Sequence, residues 1–151
     1  MTQRRSRGSM SAAAARQPAT GPQASRGPVV RVKPYKPTFD LEPDLLRQVR
    51  VWSARHGLVG VAPVVRALIA ELMVNPALDL AVEDAIAKAV RPAGTLTKTT
   101  YDLAPSLYRD LKEWAASHET TNVAVLRALM TVLIKDRNGA ISTLIASAAQ
   151  R

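Results

Sequence analysis

Lys36 to His56 reads KPTFDLEPDLLRQVRVWSARH, and Lys98 to His118 reads KTTYDLAPSLYRDLKEWAASH. Between 38–56 and 100–118, nine of nineteen positions are identical: Thr38/Thr100, Asp40/Asp102, Leu41/Leu103, Pro43/Pro105, Leu45/Leu107, Arg47/Arg109, Trp52/Trp114, Ala54/Ala116 and His56/His118. Past the histidines the spacing drops from 62 to 61, because the first copy has one extra residue in GLVGVAP. Arg66-Ala67-Leu68 then meets Arg127-Ala128-Leu129. Shared composition does not produce that agreement, so the chain holds a duplicated unit.

Each copy opens with alternation. Lys36, Thr38 and Asp40 fall on one side and Phe39 and Leu41 on the other; Lys98, Thr100 and Asp102 oppose Tyr101 and Leu103. That pattern predicts a short strand with one buried face. A proline follows at a first helical position, where its missing N–H costs nothing. Leu45, Val49 and Trp52, and again Leu107, Leu111 and Trp114, then mark an amphipathic helix of about fourteen residues. A break at His56-Gly57, or at His118-Glu119-Thr120-Thr121, precedes a second apolar helix carrying Val61, Val64, Val65, Leu68, Ile69 and Leu72. Its counterpart carries Val123, Leu126, Leu129, Met130 and Leu133. One such unit has nowhere to place its strand's hydrogen bonds and too little apolar surface to fold alone. Pairing two units strand to strand meets both needs. If the pseudo-twofold axis passes between Thr38 and Thr100, Lys36 faces Asp102 and Asp40 faces Lys98. Such cross-strand pairs contribute roughly 0.2–1 kcal/mol.

Charge is distributed unevenly. The whole chain of 151 residues carries a formal +9. Arg4, Arg5, Arg7, Arg16, Arg26, Arg31, Lys33 and Lys36 all precede the first acid, and the rest is close to neutral. The opening stretch, rich in Gly, Ser, Pro and Ala, reads as an unstructured basic arm suited to nucleic acid or an acidic partner. There is no cysteine, which excludes disulfides and thiolate metal sites. The two histidines have no carboxylates clustered near both of them, so neither a metal site nor a cofactor is expected. No apolar run reaches a membrane span, and AAAA in the N-terminal stretch is too short for a signal-peptide core. The chain reads as cytoplasmic. No P-loop, Gly-x-Ser-x-Gly or metal-ligand spacing occurs, so no enzyme is expected.

Strand-helix-helix units opening K-x-T-x-D-L-x-P-x-L resemble the ribbon-helix-helix family of MetJ/Arc/CopG-type DNA-binding proteins. The resemblance covers roughly 35–74 and 96–136. Its tandem form is similar to TraY-type relaxosome proteins. It implies a mainly α fold with a short two-stranded antiparallel β-ribbon, built from two units joined by a linker helix. It also implies that the ribbon enters the major groove of double-stranded DNA, with Lys36, Thr38, Asp40, Lys98, Thr100 and Asp102 facing the bases. An Asp there has a second reading, acceptance from a cytosine amino group. In the family, phosphate docks on the N-terminus of the second helix. Thr120, Thr121 and Asn122 supply that place in the second copy; Gly60 at the cap and Val61 supply a backbone-only, weaker one in the first. Trp52 and Trp114 read as core, His56 and His118 as helix-end cations, and Arg66 and Arg127 as structural salt-bridge formers.

The expected organisation is a basic arm over 1–33, units over 34–74 and 96–137, a linker over 75–95 and a C-terminal helix over 138–151. In the linker, Leu80, Val82, Ala85, Ile86 and Ala89 form the expected helical stripe. Ile141, Leu144 and Ile145 suggest packing or an oligomer contact for the last helix. The functions implied are transcriptional repression or plasmid partition, nucleoid- or plasmid-associated, the arm then engaging a ParA-type ATPase. The alternatives are a relaxosome accessory and a protein-interaction module, antitoxin-like or adaptor. Sequence leaves open an intramolecular pseudo-dimer or a homodimer.

Overall fold

The computed structural model describes residues 34–92 and 94–150; the basic-arm residues Arg4, Arg5, Arg7, Arg16, Arg26, Arg31 and Lys33 lie outside them. Two strands, β1 (Thr38–Leu41) and β2 (Thr97–Thr100), form an antiparallel pair within the one chain. Thr38 faces Thr100, Phe39 faces Thr99, Asp40 faces Lys98 and Leu41 faces Thr97. Because Thr38 and Thr100 are also equivalent in the repeat, a pseudo-twofold axis passes between them. Pairing resumes at Tyr35 and Leu103, which exchange two backbone hydrogen bonds of 2.8 Å. Pro37 lies between, where it has no N–H to give. The alternation predicted from sequence is the one observed: Phe39, Leu41, Tyr101 and Leu103 are buried, while Thr38, Asp40, Thr100 and Asp102 are exposed.

The described residues also form six helices: α1 (Pro43–Arg55), α2 (Ala62–Val74), α3 (Pro76–Ala87), α4 (Pro105–Ser117), α5 (Asn122–Ile134) and α6 (Ala140–Ala149). Pro43 and Pro105 open α1 and α4, whose caps Glu42 and Ala104 give no side-chain hydrogen bond. These starts therefore rest on proline's fixed φ. Both helices end on a histidine whose N–H meets the carbonyl four residues back, His56 to Trp52 at 3.2 Å and His118 to Trp114 at 3.1 Å. The described residues are mainly helical, with one short two-stranded antiparallel sheet.

Packing runs crosswise between the halves. α1 lies against α5, α4 against α2, and α2 and α5 meet in the middle. Leu68, Ile69, Leu126, Leu129 and Met130 are wholly buried there. Each arginine of the repeat also reaches the other half's strand: Arg66 donates to the Asp102 carbonyl and Arg127 to the Asp40 carbonyl, both at 3.3 Å. Arg127 Nε lies 3.2 Å from Glu42 Oε1 as well, an ion pair without an aligned hydrogen bond. Of the salt bridges expected for the two arginines, Arg127 makes one, whereas among the described residues Arg66 has only its hydrogen bond to the Asp102 carbonyl. On α1, Leu46 is buried more deeply than Leu45, which the predicted stripe had placed inward.

The outermost helices repeat too. α3 packs on α5 and α6 packs on α2. Asn75 Oδ1 accepts from the Ala77 and Leu78 N–H groups at 3.0 and 3.2 Å, and Asn138 Oδ1 accepts from Ala140 at 3.3 Å. With Asn75 and Asn138 aligned, Leu78 matches Ile141 and Val82 matches Ile145; Leu78, Val82 and Ile145 are buried and Ile141 is packed against the core. The repeated element string is thus strand and three helices. Leu80, expected on the buried stripe of α3, is 68% exposed, and Ala89 lies past the helix end and is exposed. Leu78 takes the inward place because it lies one turn before the buried Val82, whereas Leu80, two residues from Val82, falls on the opposite side of the helix.

The extra residue of the first copy is held by Ser53. It is buried, and its hydroxyl donates to the Gly60 carbonyl at 2.6 Å. Its equivalent in the second copy, Ala115, has no hydroxyl to donate, while the backbone closure is common to both copies, Leu58 N–H on the Ser53 carbonyl at 3.0 Å and Thr120 N–H on the Ala115 carbonyl at 2.9 Å. On the sheet's inner side, burial raises the Tyr101 phenol above its ordinary range, against the lowering effects of a Thr99 hydrogen bond and the Arg50 charge.

Candidate nucleic-acid interface

The outer face of the sheet gathers all six strand residues proposed to read bases. Tertiary structure adds order to them. Thr38 and Thr100 lie on the pseudo-axis with their hydroxyls 3.2 Å apart. Lys36 Nζ stands 3.7 Å from Asp102 Oδ1, both side chains more than half exposed. The symmetric pair, Asp40 and Lys98, is opposed in register, but among the described residues no ion pair joins them. The face is therefore chemically twofold and electrostatically uneven. It carries two ammonium and two carboxylate groups, a sum of zero. Long-range attraction to a polyanion must come from outside it.

The beginnings of the second helices differ as the sequence implied, with one correction. Thr121 caps α5, its hydroxyl accepting from the Ala124 N–H at 3.2 Å, and Thr120 and Asn122 flank it. In the first copy the cap of α2 is Val61 rather than Gly60, and it makes no side-chain hydrogen bond. Gly60 sits one residue earlier at φ +79, where it makes the turn that the extra loop residue requires. Pro63 also removes one of the free N–H groups at the start of α2. The first helix start is thus poorer in donors than the second.

Trp52 and Trp114 are about nine-tenths buried and stack on the helix-end histidines, with ring centroids 4.1 Å apart for Trp52–His56 and 3.6 Å for Trp114–His118. The two histidines are not alike in surroundings. His118 Nε2 lies 2.9 Å from Glu83 Oε2 and 4.0 Å from Asp79 Oδ1. Sequence reading found no carboxylates gathered near both histidines; the fold brings two to one of them. The Asp79–Glu83 spacing of one helical turn was visible beforehand, but the packing of α3 beside the end of α4 was not. No helix among the described residues is long and apolar enough to cross a membrane. Comparison with protein-family models, with curated proteins and with solved structures finds no match.

Proposed function

We propose that this chain is a sequence-specific double-stranded DNA-binding protein of ribbon-helix-helix type, in which one chain supplies both halves of an intramolecular pseudo-dimer. The two-stranded sheet enters the major groove, as such a ribbon can. One observation carries the reading. A solvent-facing row of Lys, Thr and Asp is held on a helix-backed antiparallel pair, centred on a pseudo-twofold axis at Thr38 and Thr100. No packing demand accounts for threonines on the exposed side. Lys36, Thr38, Asp40, Lys98, Thr100 and Asp102 present the donors and acceptors, the Lys36–Asp102 contact orienting that lysine. Thr120, Thr121 and Asn122 form the stronger phosphate anchor, and Gly60 and Val61 the weaker, backbone-only one. The arm, Arg4 to Lys33, adds non-specific affinity and is the part that would meet a ParA-type ATPase. The biological roles are repression of transcription or plasmid partition.

The test is DNA-affinity sequencing on genomic fragments at near-physiological salt, comparing the natural chain with a Thr38→Ala/Thr100→Ala variant. The two hydroxyls are exposed and bond to each other, so their loss costs at most about 1 kcal/mol of stability. A few sharp sites, absent with the variant, are expected. Sites in a promoter indicate a repressor, sites in a repeat array a partition protein, and a site at a transfer origin a relaxosome role. Diffuse enrichment with the natural chain would overturn the reading and leave a protein-interaction module.

A further inference from the structure

The two halves differ most at the ends of α1 and α4. At each end the histidine Nδ1 lies 2.8 Å from the tryptophan carbonyl one turn back, Trp52 for His56 and Trp114 for His118. A carbonyl only accepts, so Nδ1 carries the hydrogen and the Nε2 of a neutral ring presents its lone pair. For His118 that lone pair faces Glu83 Oε2 at 2.9 Å and Asp79 Oδ1 at 4.0 Å. The three groups offer ligand atoms all within 4.8 Å of one another. Asp79 and Glu83 sit one turn apart on α3, the spacing by which a helix directs two side chains to one ion.

A second observation points to the same place. Trp114 is 8% exposed, yet its indole N–H has no hydrogen-bond partner. Its twin, Trp52, donates to Ser142 Oγ at 3.3 Å. Ser142 on α6 matches Asp79 on α3 once Asn138 and Asn75 are aligned, and Ala146 matches Glu83. By that equivalence the unpartnered N–H is aimed at the ground between α3 and α4 where the carboxylates stand. An oxygen ligand held there would receive it. α6 has Ser142 and Ala146 where α3 has Asp79 and Glu83, so α6 offers His56 no comparable ligand set.

We infer that His118 Nε2 and the Asp79 and Glu83 carboxylates bind one divalent transition-metal ion of the zinc type. One imidazole and two carboxylates are ordinary ligands for such an ion, with solvent completing the tetrahedron. The Trp114 carbonyl supplies the outer-shell hydrogen bond that fixes the ring's tautomer and orientation. The 2.9 and 4.0 Å separations lie to either side of a tetrahedral edge. Both carboxylates, 40% and 43% exposed, have room to turn onto the ion. Bound metal ties α3, the connection between the two strand-bearing halves, to the end of α4.

The experiment is calorimetric titration of the full chain with zinc chloride near neutral pH in a non-chelating buffer. His118→Gln, Glu83→Gln and His56→Gln variants are titrated alongside. One site per chain is expected. His118→Gln and Glu83→Gln should each weaken it about tenfold or more, the loss typical of disturbing even an outer-shell partner. His56→Gln should leave it unchanged. A zinc-induced rise in melting temperature should appear with the natural chain and vanish with Glu83→Gln, whose exposed position leaves folding intact. No heat of binding, equal affinity in all four proteins, or loss with His56→Gln would overturn the site. In that case His118 is simply an imidazolium held by two carboxylates.

Discussion

At the residue scale, the repeat supplies its own controls. Gly57 and Glu119 occupy equivalent positions just after a histidine cap, and both have positive φ, +72 and +54. Glycine adopts that conformation freely, whereas a side chain meets its own backbone. Nothing lies within 4 Å of a Cβ at Gly57, so no packing reason distinguishes the two sites. Glu119→Gly is expected to raise the unfolding free energy by about 0.5–1 kcal/mol. Urea denaturation checks it, and an unchanged or lower midpoint would show that glutamate is not strained there. Ser53 and Ala115 make a similar contrast. The serine exists to hold the longer loop, which sequence could not reveal because its acceptor is a backbone carbonyl seven residues on. Thr38, Asp40, Thr100 and Asp102 were legible as outward residues, since strand alternation depends only on local geometry.

At the element scale, the strands and the first two helices of each half follow from period and punctuation. Proline starts, histidine ends and apolar stripes are local signals. The third helices were harder. α6 read as a weak terminal helix, and its kinship with α3 was hidden by a change of spacing and by few identities beyond Asn75/Asn138 and Ala77/Ala140. Asparagines at their starts expose the relation and permit a graded prediction, Asn75 being the cap of α3 and Asn138 standing one residue before Gly139, the cap of α6. Asn75 Oδ1 serves two N–H groups and Asn138 Oδ1 serves one. Asn75→Ala should therefore cost about 1–2 kcal/mol and Asn138→Ala about 0.5–1 kcal/mol. Equal losses in parallel urea titrations would contradict the assignment of the stabilisation to these hydrogen bonds.

At the scale of the whole molecule, neither half has a core of its own. α3 and α6 cover α5 and α2, and Arg66 and Arg127 cross to the opposite strand, so each half is completed by the other. The proposed DNA complex has a corresponding division of labour. The outer sheet face sums to zero charge, so phosphate attraction falls to the helix starts and to the arm. Removing residues 1–30 deletes five arginines. It should flatten the dependence of DNA affinity on salt by up to about 4.5 units of log–log slope if every one meets a phosphate. Sequence preference should survive. Loss of preference on deletion would assign recognition to the arm and not to the strands.

The sequence by itself determined the duplication and the outward and inward faces of the strands; the register in which Thr38 meets Thr100 it offered only as a condition, which the strand pairing meets. It could do so because alternation, capping and internal equivalence are one-dimensional properties. Tertiary structure alone decided three things: that the strands pair within one chain, that Leu78 rather than Leu80 faces the core, and that Asp79 and Glu83 meet His118 while in the other half Ser142 meets Trp52. Each depends on which helix packs beside which. That is a balance of buried apolar area over the whole molecule, and no local stretch of sequence contains it.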